Sequence, residues 1–253
     1  MRIHAFHRLF QYRQSISTKA FNARGAKVNR CQYCQVSSQH CICEFQPDID
    51  TNIATMLIVS DNEVFKPSNT GKLIADVIKD TFVYQWNRTE PDPEMLKVLS
   101  DPSYLPIIVF PEDYVDDKQR LITSTSLEPT NLRKEKAPNC KPLFIFIDGS
   151  WREARKIFRK SEYLAGLPVL SIKPDSVSQY LMRKSMNEDH LSTAEVAALV
   201  LEQAGETQAS KTLEFWFEAF RESYLLSKTR LKHDLTRPFL KRFVEYSKSA
   251  KHL

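Results

Sequence analysis

Five short apolar runs constrain this chain more than any other feature. They are Ile53–Val59, Phe82–Trp86, Leu105–Phe110, Leu143–Ile147 and Pro168–Ile172. Each is four to eight residues long, continuous rather than alternating, and rich in β-branched or aromatic side chains. Continuous runs of that length fit strands covered on both faces, and such strands belong to mostly parallel sheets. Between them lie segments of helical period: Leu73, Ile74, Val77 and Ile78 share one side of a helix after the first run. Trp151, Ala154, Ile157 and Phe158 do the same after the fourth. The expected body is therefore α/β, with helices packed on a mostly parallel sheet.

Polar residues mark where helices begin. Ser150 is followed three residues later by Glu153, and Ser192 by Glu195, so both segments open as capping boxes. Leu213, Trp216, Phe217, Phe220 and Tyr224 define an amphipathic helix in the last third, and Pro238 suits the first turn of another. The connection from Pro111 to Lys141 is long, charged and polar, as expected of a site loop or lid.

Four of the five cysteines fall in one short stretch, Cys31-x2-Cys34-x6-Cys41-x-Cys43. Four thiolates at this spacing can surround one Zn(II) tetrahedrally, and a full set of protein ligands leaves no position for a catalytic water. The expected zinc is structural and holds a segment too small to have its own core. His40 is an alternative to Cys41 or Cys43. Cys140 stands apart as a lone thiol before a strand.

The net charge of +5 hides an asymmetry. Residues 1–30 hold seven Lys or Arg and no acid, and residues 228–253 hold eight against two acids. The stretch between them carries a net −8. A polyanion would be gripped mainly at the ends, although basic tails also serve solubility. Phe6, Phe10, Tyr12 and Phe21 interleave with the N-terminal cations and can stack on bases or bury. The organisation expected is a basic arm or short helix over 1–30, a zinc module over 31–46, an α/β domain over 47–227 and a basic helical extension over 228–253. No apolar run is long enough to span a membrane, and the N-terminus does not read as a secretory signal, so cytoplasm is the expectation.

Two polar segments follow strands. In Asp61–Asp76, Asn69 or Thr70 can cap a helix while Gly71 permits a tight turn or close approach. There is no G-x-G-x-x-G in the chain. In Asp148–Lys160, Asp148 sits where a buried strand ends, a position that faces the ligand crevice in open α/β sheets. Ser150 begins a helix that can receive an anion or simply cap it. Trp151 suits packing. Arg152, Arg155, Lys156, Arg159 and Lys160 cannot all face a core, so that helix has a basic face suited to an RNA backbone or to solvent. In a third segment, His190, Ser192, Thr193 and Glu195 are explained by capping and also permit a small-molecule pocket.

These motifs together resemble the DTW-domain tRNA-uridine aminocarboxypropyltransferases of the bacterial kind. The resemblance rests on the four cysteines, on PSNTGKL at Pro67–Leu73, on DGSW at Asp148–Trp151 and on STAE at Ser192–Glu195, in that order. Ser150 stands where the family name has Thr. The resemblance implies a SPOUT-like fold with a knotted C-terminal part of the sheet. It implies S-adenosylmethionine as donor, a variable-loop uridine of tRNA as acceptor, 5'-methylthioadenosine as by-product and structural zinc. Asp148 is then the catalytic candidate. Ser68, Asn69, Thr70, Gly71, Ser150, Trp151, Ser192, Thr193 and Glu195 are expected around the donor. Arg24, Lys27, Arg30, Arg152, Arg155, Lys156, Arg159, Lys241 and Arg242 are expected on RNA. No obligate protein partner is implied. The rival readings are an S-adenosylmethionine-dependent RNA methyltransferase, on tRNA or rRNA, and a zinc RNA-binding module without catalysis.

Overall fold

The computed structural model describes residues 1–18, 27–122, 140–172, 191–228 and 234–250. Arg24 and His190 lie outside the described residues. The body is a parallel sheet in which β1 (Ala54–Val59), β2 (Thr81–Gln85), β3 (Tyr104–Val109), β4 (Leu121–Ile122), β5 (Lys141–Asp148) and β6 (Val169–Leu170) take the order β2-β1-β5-β3-β6-β4. The apolar runs appear as expected, and β4 is added by a two-residue segment too short to announce itself.

Alternate strand residues feed two apolar layers, as the two-residue period of a strand requires. Leu57, Val59, Phe144 and Phe146 face one layer; Met56, Ile58, Leu143 and Ile145 face the other. On the first side lie α2 (Gly71–Val77), α5 (Thr193–Gln203), α6 (Thr207–Leu225) and α7 (Pro238–Ala250). On the second lie α3 (Pro93–Ser100) and α4 (Trp151–Lys160). Each fully buried side chain of this kind contributes about 1.5–3 kcal/mol. Pro238 opens α7 as expected, and Glu222 of α6 caps it by accepting the N–H groups of Phe239 and Leu240 at 3.1 and 3.0 Å.

The basic N-terminal stretch begins as a helix, α1 (Ala5–Ile16), because Phe6 and His7 bury against the body. Its anchor is Asp76 of α2, whose carboxylate accepts from His4 Nε2 at 3.0 Å, Gln46 Nε2 at 2.8 Å and Trp216 Nε1 at 2.9 Å. Burial raises the Asp76 carboxyl, but His4 and Trp216 outweigh it and hold Asp76 below its ordinary range. The cysteine segment is pinned to the same core by Val36 and Ile42, both fully buried.

Among the described residues no helix is long and apolar enough to cross a membrane.

Candidate functional site

β1 and β5 are neighbours, paired in register from Ala54↔Leu143 to Val59↔Asp148, yet the helices that follow them lie on opposite faces of the sheet. Adjacent strands whose following helices go to opposite faces form a topological switch point, the place where open α/β sheets bind ligands. Asp148 ends β5 there and is only 1% exposed.

The segment after β1 descends in successive three-residue turns. Glu63 N–H donates to Ser60 O, Lys66 N–H to Glu63 O, Asn69 N–H to Lys66 O and Leu73 N–H to Thr70 O. Turns closed three residues back place side chains i and i+3 over one another. Glu63, Lys66 and Asn69 consequently meet. Lys66 Nζ lies 2.7 Å from Glu63 Oε2, and Asn69 Nδ2 lies 3.3 Å from Glu63 Oε1. The same Asn69 nitrogen donates to Asp148 Oδ2 at 2.5 Å, while Asn69 Oδ1 accepts the Lys72 N–H at 3.0 Å. Lys72 is itself buried, reaching Pro67 O at 3.0 Å with its ammonium 4.6 Å from the Phe220 ring centroid, and burial depresses its pKa to about 8.

Asp148 Oδ1 accepts from Thr193 Oγ1 at 2.7 Å. Burial pushes the Asp148 carboxyl above its ordinary range, against the hydrogen bonds from Asn69 and Thr193. Gly71 completes the contact: a Cβ at that position would stand 2.5 Å from Asp148 Oδ2. Asp148, Asn69, Gly71 and Thr193, drawn from three distant motifs, thus pack together, with Thr70 buried and Ser68 half-buried beside them.

Ser150, Ser192 and Glu195 have local partners. Ser150 N and Oγ donate to Glu153 Oε2 at 2.9 and 2.5 Å, and Ser192 N donates to Glu195 Oε2 at 2.9 Å, so both expected capping boxes are closed. Trp151 stacks on Phe110 with ring centroids 5.7 Å apart and meets the edge of Tyr114 at 5.2 Å.

The expected RNA contacts divide by exposure. Lys27, Arg152, Lys156, Arg159, Lys241 and Arg242 are exposed. Arg155 is half-buried over the Tyr114 and Trp151 rings. Arg30 is half-buried, donating to Gln35 O at 3.0 Å with its guanidinium over Tyr224. Arg242 reaches Glu218 at 3.4 Å.

The four sulfurs of Cys31, Cys34, Cys41 and Cys43 lie within 4.8 Å of one another, with Cys31–Cys43 at 3.6 Å and Cys34–Cys41 at 3.8 Å. A tetrahedral ion bonded to sulfur at about 2.3 Å needs sulfurs about 3.8 Å apart. Hydrogen bonds from Cys34 and Cys43 hold Cys31 below the usual thiol range, and the Cys31 contact pushes Cys34 up to about 12. The donor set can hold a metal ion.

Two groups escaped the sequence reading. Glu63 is fully buried beside Asn69, and its only signal was the spacing Glu63-x2-Lys66-x2-Asn69 in a turn-rich stretch. His4, His7 and Asp76 form a second buried cluster with ligand atoms within 4.8 Å.

The DTW domain family matches residues 28–225, and the chain belongs to that family. Similar curated proteins are tRNA-uridine aminocarboxypropyltransferase 2 of Macaca fascicularis, 26% identical over 178 residues, and of Mus musculus, 25% identical over 177 residues. Each alignment covers 68% of this chain and 55% of the relative, so the chain spans about half the length of the curated relatives it matches. No solved structure matches it.

Proposed function

We propose that this protein transfers the 3-amino-3-carboxypropyl group of S-adenosylmethionine to N3 of a variable-loop uridine in tRNA. The observation that carries the reading is the buried Asp148 carboxylate at the β1/β5 switch point, held by Asn69 and Thr193 in a chain of the DTW family. The donor supplies an electrophilic carbon beside a sulfonium. The N3–carbon bond forms as that carbon–sulfur bond breaks, the N3 proton passes to a base, and 5'-methylthioadenosine leaves.

Asp148 is assigned that proton. A carboxyl raised by burial is better matched to it than an ordinary one. Asn69 and Thr193 orient the carboxylate. Ser68, Thr70, Gly71, Ser150, Trp151, Ser192 and Glu195 are assigned to the walls of the donor site. Alignment of nitrogen, carbon and sulfur supplies much of the remaining acceleration. Lys27, Arg30, Arg152, Arg155, Lys156, Arg159, Lys241 and Arg242 are assigned to tRNA phosphates, together with Arg24. The ion at the four cysteines is assigned as zinc with a structural role. The parallel sheet is compatible with a SPOUT-like classification, and the knotted C-terminal part belongs to this proposal.

Nucleoside mass spectrometry after incubation with unmodified tRNA and S-adenosylmethionine tests the reading. An aminocarboxypropyl adduct on uridine, lost in Asp148→Asn, is the expected result. No adduct, or a methyl adduct, overturns it.

A further inference from the structure

The aromatic residues of the N-terminal stretch have two uses open to them, stacking on bases or burial, and the structure separates them. Phe6 is buried, and Phe10 is half-buried with its ring edge-on to Phe65, centroids 5.8 Å apart. Tyr12 is 60% exposed, and Phe21 lies outside the described residues. Side chains three or four apart share a face of a helix. Phe6, Phe10 and Arg13 make the inward face of α1, whereas Arg8 and Tyr12 lie together on an outward face and are both exposed. A single exposed aromatic ring is ordinary on a protein surface. This one projects from thirty residues that hold seven Lys or Arg and no acid, so the field around it favours a polyanion.

The inward face of α1 grips the loop between β1 and α2. Arg13 Nη1 pairs with Asp61 Oδ1 at 2.5 Å, its guanidinium lies 5.7 Å from the Phe65 ring centroid, and Gln85 Nε2 donates to the same Asp61 oxygen at 2.8 Å. Asp61 follows Ser60, whose N–H donates to Asp148 O at 2.8 Å. The same loop carries Asn69, which donates to the Asp148 side chain. An RNA held on α1 is therefore held in a set place relative to Asp148. We propose that Tyr12 is a stacking platform for an unpaired base of the substrate RNA, with Arg8 on an adjoining phosphate. The base must be unpaired, because those inside a duplex are already stacked on both faces. This role extends the tRNA reading above and rests on it.

Fluorescence anisotropy of the full chain with two labelled probes, unmodified tRNA and a long blunt RNA duplex, tests the role. Tyr12→Ala is expected to weaken tRNA at least about fivefold, the scale of one lost base stack, and to leave the duplex within about twofold. Tyr12→Phe keeps the ring and is expected to stay within about twofold of the unaltered protein on tRNA. Tyr12→Leu, apolar but without a π face, is expected to lose what Tyr12→Ala loses. Arg8→Ala is expected to reduce the slope of log affinity against log salt by about one, which Tyr12→Ala does not do. Equal melting temperatures of the variants keep folding out of the comparison. Unchanged tRNA binding in Tyr12→Ala, full binding in Tyr12→Leu, or equal loss on the duplex overturns the stacking role and leaves the tRNA reading standing. Loss of a dimer in Tyr12→Ala, seen by sedimentation velocity, also overturns it and makes this face a contact between copies of the chain. Failure of the unaltered protein to bind tRNA overturns the tRNA reading and this role with it.

Discussion

The side chain of Asn69 joins Asp148 to the start of α2 across 79 residues of sequence, giving an N–H to Asp148 Oδ2 and taking the Lys72 N–H on its carbonyl. That second bond decides which way the amide faces, so the Asn69 nitrogen must lie between the Asp148 and Glu63 carboxylates. Asn69→Asp would place a third acid there. It is expected to cost at least about 2 kcal/mol, because buried acceptors lose their donor and like charges meet. Acids crowded this way have folded-state pKa values above their unfolded ones. Their stability contribution is present below the unfolded pKa and is lost as pH rises through the folded one. Urea unfolding at pH 5 and pH 8 checks this, with the larger loss expected at pH 8.

Gly71 owes its identity to the close approach of Asp148. Gly71→Ala is expected to cost about 1–3 kcal/mol, since a buried and hydrogen-bonded carboxylate cannot yield without breaking its bonds to Asn69 or Thr193. Gly166, with nothing within 4 Å of an added Cβ, provides the control and is expected to tolerate alanine. Thermal melts of the two variants measure the contrast.

Much of the architecture was legible because burial on both sheet faces writes itself as uninterrupted apolar runs. The starts of α4, α5 and α7 were legible because Ser150, Ser192 and Pro238 act within a single turn. β4 was not, since Leu121 and Ile122 carry too little pattern. Asp148, Asn69 and Gly71 could be named from motifs, but their mutual contact depends on the β1/β5 register, which no local pattern encodes. Glu63 was invisible for a related reason: a charged residue in a turn reads as solvated until the fold buries it. Asp76 reads as one more polar position on a helix until Trp216, 140 residues away, donates to it.

His7 makes the fold sensitive to acid. Burial, and then the neighbouring His4, lower its pKa from 6.5 to about 4. Between those values the unfolded chain binds a proton that the folded chain refuses, so stability is full above about pH 6.5 and falls as pH drops toward 4. With the screening appropriate to a partly shielded ring, the expected loss is about 1–2 kcal/mol. His7→Phe retains a flat ring beside His4 and is expected to flatten this limb in unfolding measurements across that window.

Removal of metal from the cysteine cluster should loosen more than residues 31–46. Arg237 donates to His40 O at 3.2 Å and to Ser223 Oγ at 2.7 Å, tying the start of α7 to the cysteine segment. Metal analysis is expected to find one zinc per chain. Chelation is expected to lower the unfolding midpoint by roughly 5 °C or more and to make the start of α7 more susceptible to limited proteolysis. Cys43→Ser should reproduce both effects.

Transfer of a carbon chain, and not of a methyl group, separates the proposed reaction from RNA methylation. S-adenosylmethionine labelled with 14C in its carboxyl carbon and with 3H in its methyl group reports on both fates in one reaction with unmodified tRNA. Aminocarboxypropyl transfer puts 14C in the tRNA and 3H in released 5'-methylthioadenosine. Tritium in the tRNA, with 14C remaining in S-adenosylhomocysteine, means methyl transfer and overturns the assignment.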